Sequence, residues 1–96
     1  LYGRHIYFKE IREIEKIPSL PSMKIRTNGF ALGKTLIGHF KTIDNQHVIL
    51  YCHSKNHFIK IISKKNEVYY LSCKDSLQTN VIFSEIKNEA NKFSDK

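Results

Sequence analysis

Cysteine, glycine-rich loops and long apolar runs are scarce or missing in this 96-residue chain, and each scarcity closes off a class of protein. Two cysteines, Cys52 and Cys73, cannot build the disulfide framework of a small secreted scaffold, and their spacing matches no CxxC metal or redox motif. Both are expected to be buried thiols. No stretch approaches the ~18 apolar residues of a membrane-crossing helix, and no secretory signal is visible. The expected location is the cytoplasm or a membrane surface. No phosphate-cradling loop is expected either, because the residues after Gly33 read as a strand rather than the helix such a loop opens. No paired carboxylates stand out in a strand-end cleft, and neither cysteine has a recognisable base beside it. An enzyme is not expected, and neither is a cofactor.

The composition is that of a folded domain. An apolar fraction of 41% and an aromatic fraction of 11%, from six Phe and five Tyr, predict a packed interior. A chain this short buries roughly 60 to 65 per cent of its unfolded surface, enough for one core, so residues 1–96 read as a single domain. It opens on Leu1 inside a strand-like pattern, which reads as an N-terminally incomplete piece of a longer chain. Sixteen Lys and Arg against nine Asp and Glu give a net charge of +7, a field that favours nucleic acid or an anionic membrane face. These charges are spread along the chain with acids interleaved over 9–16, the pattern of a solvated surface.

Periodicity points to strands. Residues 2–8 alternate weakly, while Phe8, Ile11, Ile14 and Ile17 recur every third residue, as in a helical turn or a strand carrying a bulge; strand is the reading. Pro18 and Pro21 impose a loop after Ile17. Asn28-Gly29 is a turn signal, with Gly33 a further break. Four runs rich in β-branched and aromatic residues follow, 35–43, 47–53, 58–63 and 67–72, separated by short polar segments as in a meander of hairpins. Asp75 or Ser76 is a suitable N-cap for an amphipathic helix whose stripe is Leu77, Val81, Ile82, Ile86, Ala90 and Phe93, losing periodicity at Ser94.

Side-chain parity then assigns faces, because a one-residue slip moves every side chain across the sheet. A turn at 44–46 sets Phe40 opposite Leu50 and Gly38 opposite Cys52. A turn at 64–66 sets Ile59 opposite Leu71 and Ile61 opposite Tyr69. The expected core face is Leu36, Phe40, Val48, Leu50, Ile59, Ile61, Tyr69 and Leu71. The other face would carry Ile37, Ile49, Tyr51, Ile62, Val68 and Tyr70, too apolar to stand in water. That face is the candidate interaction surface, and it predicts self-association, with a protein partner or a membrane surface as the other occupants.

Strands closed by one amphipathic helix resemble the arrangement of the pleckstrin-homology superfold, which implies a split barrel of about seven antiparallel strands with the helix as its cap. In Tyr2-Gly3, Lys9-Glu10-Ile11, Arg26-Thr27-Asn28-Gly29, Gly33, Gly38-His39-Phe40, Tyr69-Tyr70-Leu71 and Asp75 the chain resembles the bacterial pleckstrin-homology-like domains. The resemblance covers nearly the whole chain but rests on short turn and strand signatures. It implies a mainly β fold with one C-terminal helix and a non-catalytic binding or scaffold module, often within a membrane-linked bacterial protein. The basic phosphoinositide motif of eukaryotic relatives does not carry over: acids interrupt Lys9, Arg12, Lys16, Lys24 and Arg26, and their spacing differs.

The residues raise two further chemistries. His53 and His57 are four apart, but 54–56 reads as a turn, not the helix that would align two metal ligands, so no metal site is assigned. Nucleic-acid binding is the alternative function: bases would stack on Tyr51, Phe58 or Tyr70 while Lys41, Lys60 and Lys64 contact the phosphates.

Overall fold

The computed structural model describes residues 8–32 and 35–94, with side chains described for 8–24 and 35–92. A single 3-10 turn, Phe8–Glu10, precedes strand β1 (Ile11–Ile17); then come β2 (Met23–Leu32), β3 (Thr35–Thr42), β4 (His47–Cys52), β5 (Phe58–Ser63), β6 (Val68–Ser72) and helix α1 (Ser76–Ser94). The every-third-residue pattern after Phe8 resolves into both of its readings. A helical turn comes first, and a strand follows whose pairing with β5 slips between Ile11 and Glu13. The strand expected over 2–8 lies outside the described residues apart from Phe8.

Two expectations are corrected. Asn28-Gly29 makes no turn; it lies inside β2, where the pairing with β3 shifts between Arg26 and Asn28 before closing at Leu32 and Thr35. The described strands, six in number, form one open sheet in the order β1-β5-β6-β4-β3-β2, not a closed barrel of about seven. It is also not wholly antiparallel. Strand β5 passes over the place beside β4, and β6 turns back into the gap, pairing parallel with β4 and antiparallel with β5.

That insertion decides the faces. The β5–β6 register is the expected one, Ile59 with Leu71 and Ile61 with Tyr69. The β3–β4 register is two residues from the expected one, with Phe40 opposite Val48 and Gly38 opposite Leu50, so parity within that hairpin survives. Between hairpins it does not, because β4 and β6 align Ile49 with Tyr69. The residues expected as one core therefore divide. Ile59, Ile61, Tyr69 and Leu71 join Ile11, Ile49, Ile86 and Ala90 under the helix, while Phe40, Val48 and Leu50 join Cys52, Phe58, Val68 and Tyr70 on the opposite face. Each face is a core.

The opposite face is closed by the sheet itself. Residues 18–22 link the two edge strands, from the end of β1 beside Phe58 to the start of β2 beside Thr42. Ile17 to Met23 can span at most about 21 Å. A flat sheet would set its outer strands about 24 Å apart at ~4.8 Å spacing, before adding the run from one strand end to the other. The sheet must curl. Ile17, Leu20 and Met23 pack against the face it curls around, and the Ile43 N–H donates to the Ser22 carbonyl at 3.0 Å.

Two hairpin turns share one device. Thr42 Oγ1 accepts the Gln46 N–H at 2.9 Å, and Ser63 Oγ accepts the Glu67 N–H at 3.0 Å. Each loop ends through an asparagine in the left-handed region, Asn45 at φ 67° and Asn66 at φ 68°, which asparagine tolerates better than most residues. At the helix start, Asp75 Oδ1 accepts the Leu77 N–H at 2.7 Å, so Asp75 is the N-cap.

Gly38 sits in mid-strand at φ 116°, a region any side chain makes costly, between Gly29 on β2 and Leu50 on β4. The strain is in the backbone, so Gly38→Ala is expected to destabilise the fold by about 1–3 kcal/mol, nearly as much as Gly38→Val. Urea unfolding of both variants checks this. A tolerated alanine beside a damaging valine would point to crowding instead.

Candidate functional site

The helix is fastened along one flank. With 3.6 residues per turn, Ile82, Ile86 and Ala90 fall at about 140°, 180° and 220° on the helical wheel counted from Leu77, and this row meets the sheet. Ile86 and Ala90 are buried and Ile82 half-buried. Phe83 faces β1, where Lys16 Nζ lies 5.3 Å from its ring centroid and donates to Asn80 Oδ1 at 3.2 Å. Lys87 Nζ approaches the same ring at 5.6 Å.

Leu77 and Val81 fall near 0° and 40° on that wheel, on the far side from this row. Leu77 is 71% exposed and Val81 57%, so the single stripe expected from 77 to 93 is in fact two rows. Phe93's side chain lies outside the described ones. The outer row borders a groove of about 580 Å3, lined by His53, Cys73, Lys74, Leu77, Gln78, Val81 and Ile82. The groove lies where the chain leaves β4 and β6, at the start of the helix.

The crossing loop 53–57 builds its other wall. To carry β5 past β6, this loop must run over the end of β6, and Ser72 anchors it there. Ser72 Oγ accepts the N–H groups of His53 and Ser54 at 3.1 and 3.2 Å, and His53 N–H also donates to the Ser72 carbonyl at 3.2 Å. His57 closes the loop in the left-handed region at φ 62°. Below it, the Cys73 N–H donates to Thr79 Oγ1 at 3.0 Å, tying the strand end to a fully buried residue of the helix.

The residues expected as an interaction face are not brought together. Ile37, Ile49 and Tyr51 lie on the helix side of the sheet; Ile62, Val68 and Tyr70 lie on the other. Ile49, Val68 and Tyr70 are buried, while Ile37, Tyr51 and Ile62 are half-buried. The expected anion contacts are also apart: Lys41 pairs with His47 on the helix side, Lys60 with Tyr70 on the inner side, and Lys64 sits in the β5–β6 turn. Of the candidate stacking aromatics, Phe58 and Tyr70 are buried and Tyr51 is half-buried. His39 Nδ1 and His47 Nε2 share a hydrogen bond at 2.8 Å with their rings stacked. Among the described residues no cluster of three or more His, Cys, Asp or Glu is placed to hold a metal ion, and no helix is long and apolar enough to cross a membrane.

Comparison with protein-family models, with curated proteins and with solved structures finds no match. The site stands on its own geometry.

The two thiols differ in kind. Burial pushes the Cys52 thiol up to about 12, against weaker opposing hydrogen bonds from Ser72 and Tyr51, whereas Cys73 is half-buried in the groove wall. Burial also raises the Tyr70 hydroxyl, helped by the negative charges of Glu15 and Asp44. Both raised groups are neutral when protonated, so their contribution is complete below pH ~9 and is lost as pH climbs toward 12. Iodoacetamide is expected to modify Cys73 in the folded protein and Cys52 only after unfolding. Urea midpoints should fall between pH 9 and 12, and Cys52→Ala should fall less steeply over that interval.

Proposed function

We propose that this chain is a non-catalytic binding module of pleckstrin-homology-like type, from a bacterial, membrane-linked protein, and that its contact site is the groove beside the first two turns of α1. The observation that carries the reading is the outward row of Leu77 and Val81, next to a cavity on a firmly anchored strand end. Large exposed side chains beside a concave apolar wall are how folded domains present a binding site. The mainly β sheet with one C-terminal helix is compatible with the resemblance, and the open mixed sheet is the point on which the two differ.

A small or membrane-derived ligand fits this groove better than a second copy of the chain does. The expectation of self-association rested on one continuous outer patch, and those residues are divided between two faces. The nucleic-acid alternative loses stacking platforms in Phe58 and Tyr70, which are 3% exposed each.

A neutral fluorescent probe such as N-phenyl-1-naphthylamine is expected to bind one site per chain and to be lost from the Leu77→Ser, Val81→Ser double variant. The variant should stay folded, since exposed substitutions usually shift stability by less than about 0.5 kcal/mol. Micromolar affinity for single-stranded oligonucleotides that falls steeply with salt would favour the basic barrel instead. Alkylation of Cys73 much faster than that of a small thiol at the same pH would replace the binding role with a chemical one.

A further inference from the structure

Resting on the reading of the groove as a binding site, we infer that its occupant is a single-chain anionic amphiphile, taken up as one molecule, with its head at Lys74 and its chain along Leu77, Val81 and Ile82. Three features of the lining lead there. The first is what it can pair: polar side chains are contributed by His53, Lys74 and Gln78, and the rest of the wall is Leu77, Val81, Ile82 and the Cys73 thiol. An extended peptide laid along that wall would bring a donor and an acceptor at every residue, and most would lose water without gaining a partner. A hydrocarbon chain brings none.

The second feature is the sign of the charge. Lys74 is exposed at the mouth, and the nearest acid in sequence, Asp75, is turned to cap the helix through the Leu77 N–H at 2.7 Å. The chain as a whole carries +7. A carboxylate or phosphate head is drawn to this end of the molecule, and a cationic one is repelled. The third is size: about 580 Å3 lies within the roughly 300–1,000 Å3 of sites that hold a small ligand, far short of a surface for a folded partner.

Cys73 lines the groove and so reports its occupancy. The rate of Cys73 alkylation in the intact chain is measured with dodecanoate, with monododecyl phosphate and with dodecyltrimethylammonium, each below its micelle concentration. Both anions are expected to slow the reaction to a plateau, with the cation giving little protection; the two anions separate a carboxylate from a phosphate preference. Lys74→Gln should weaken anion binding by about two- to fivefold, the range of one exposed ion pair, with the thermal midpoint unchanged. Leu77→Ser with Val81→Ser should abolish protection.

Equal protection by the cation, or anion binding indifferent to Lys74→Gln, would overturn the anionic assignment while leaving the groove a binding site for the neutral probe. No protection by any amphiphile alongside retained probe binding would overturn the amphiphile. If the neutral probe also fails to bind, the groove is not a site at all, and the underlying reading falls with the inference.

Discussion

The placement of β6 between β4 and β5 is the constraint from which the rest follows. It makes one pairing parallel in an otherwise antiparallel sheet, and that pairing sets Ile49 beside Tyr69 and Leu50 beside Tyr70. Both faces of the sheet centre then become apolar: one row belongs to the helix, the other to the curl. It also obliges loop 53–57 to cross over the end of β6, and a crossing loop needs its backbone groups satisfied where it touches the strand. Ser72 satisfies them, with one hydroxyl serving two N–H groups. The wall of the groove is thus a by-product of strand order.

Curling resolves a second difficulty. A sheet buried on both faces ordinarily needs a layer on each side, and the described residues supply one α-helix. The short link 18–22 draws the two edges toward each other, so that the sheet covers its own second face with Leu20 and Met23 as the lid. Tyr70 shows the result: it lies on the inner face of a central strand, packed among Phe40, Val48, Phe58 and Val68, and is buried. No barrel closure is needed to bury it.

Much of this was legible in the amino-acid sequence, and the boundary of legibility has a physical cause. Periodicity and turn chemistry are local, and they located β3 to β6 within a residue or two, the helix from its Asp75 cap to Ser94, and the pairing of Ile59 with Leu71. Strand order is not local. Nothing in residues 47–72 states that β5 skips a place, and without that fact the parity of one hairpin cannot be joined to the parity of the next. The mistaken single outer face of Ile37, Ile49, Tyr51, Ile62, Val68 and Tyr70 comes from that one missing relation. The groove is a different case: its signal was present in the wheel positions of Leu77 and Val81, some 140° or more from Ile86, and counting them into one stripe hid it.

The fastening of α1 is uneven around its circumference. Along β1 the helix is held by Lys16, Asn80 and the Phe83 ring, beneath by Ile86 and Ala90, and at the end of β6 by Thr79, whereas Leu77 and Val81 on the remaining flank border the cavity and solvent. The groove therefore has two unlike walls: one is the crossing loop, tied to the sheet through Ser72, and the other is a helix flank whose Leu77 and Val81 are left in water.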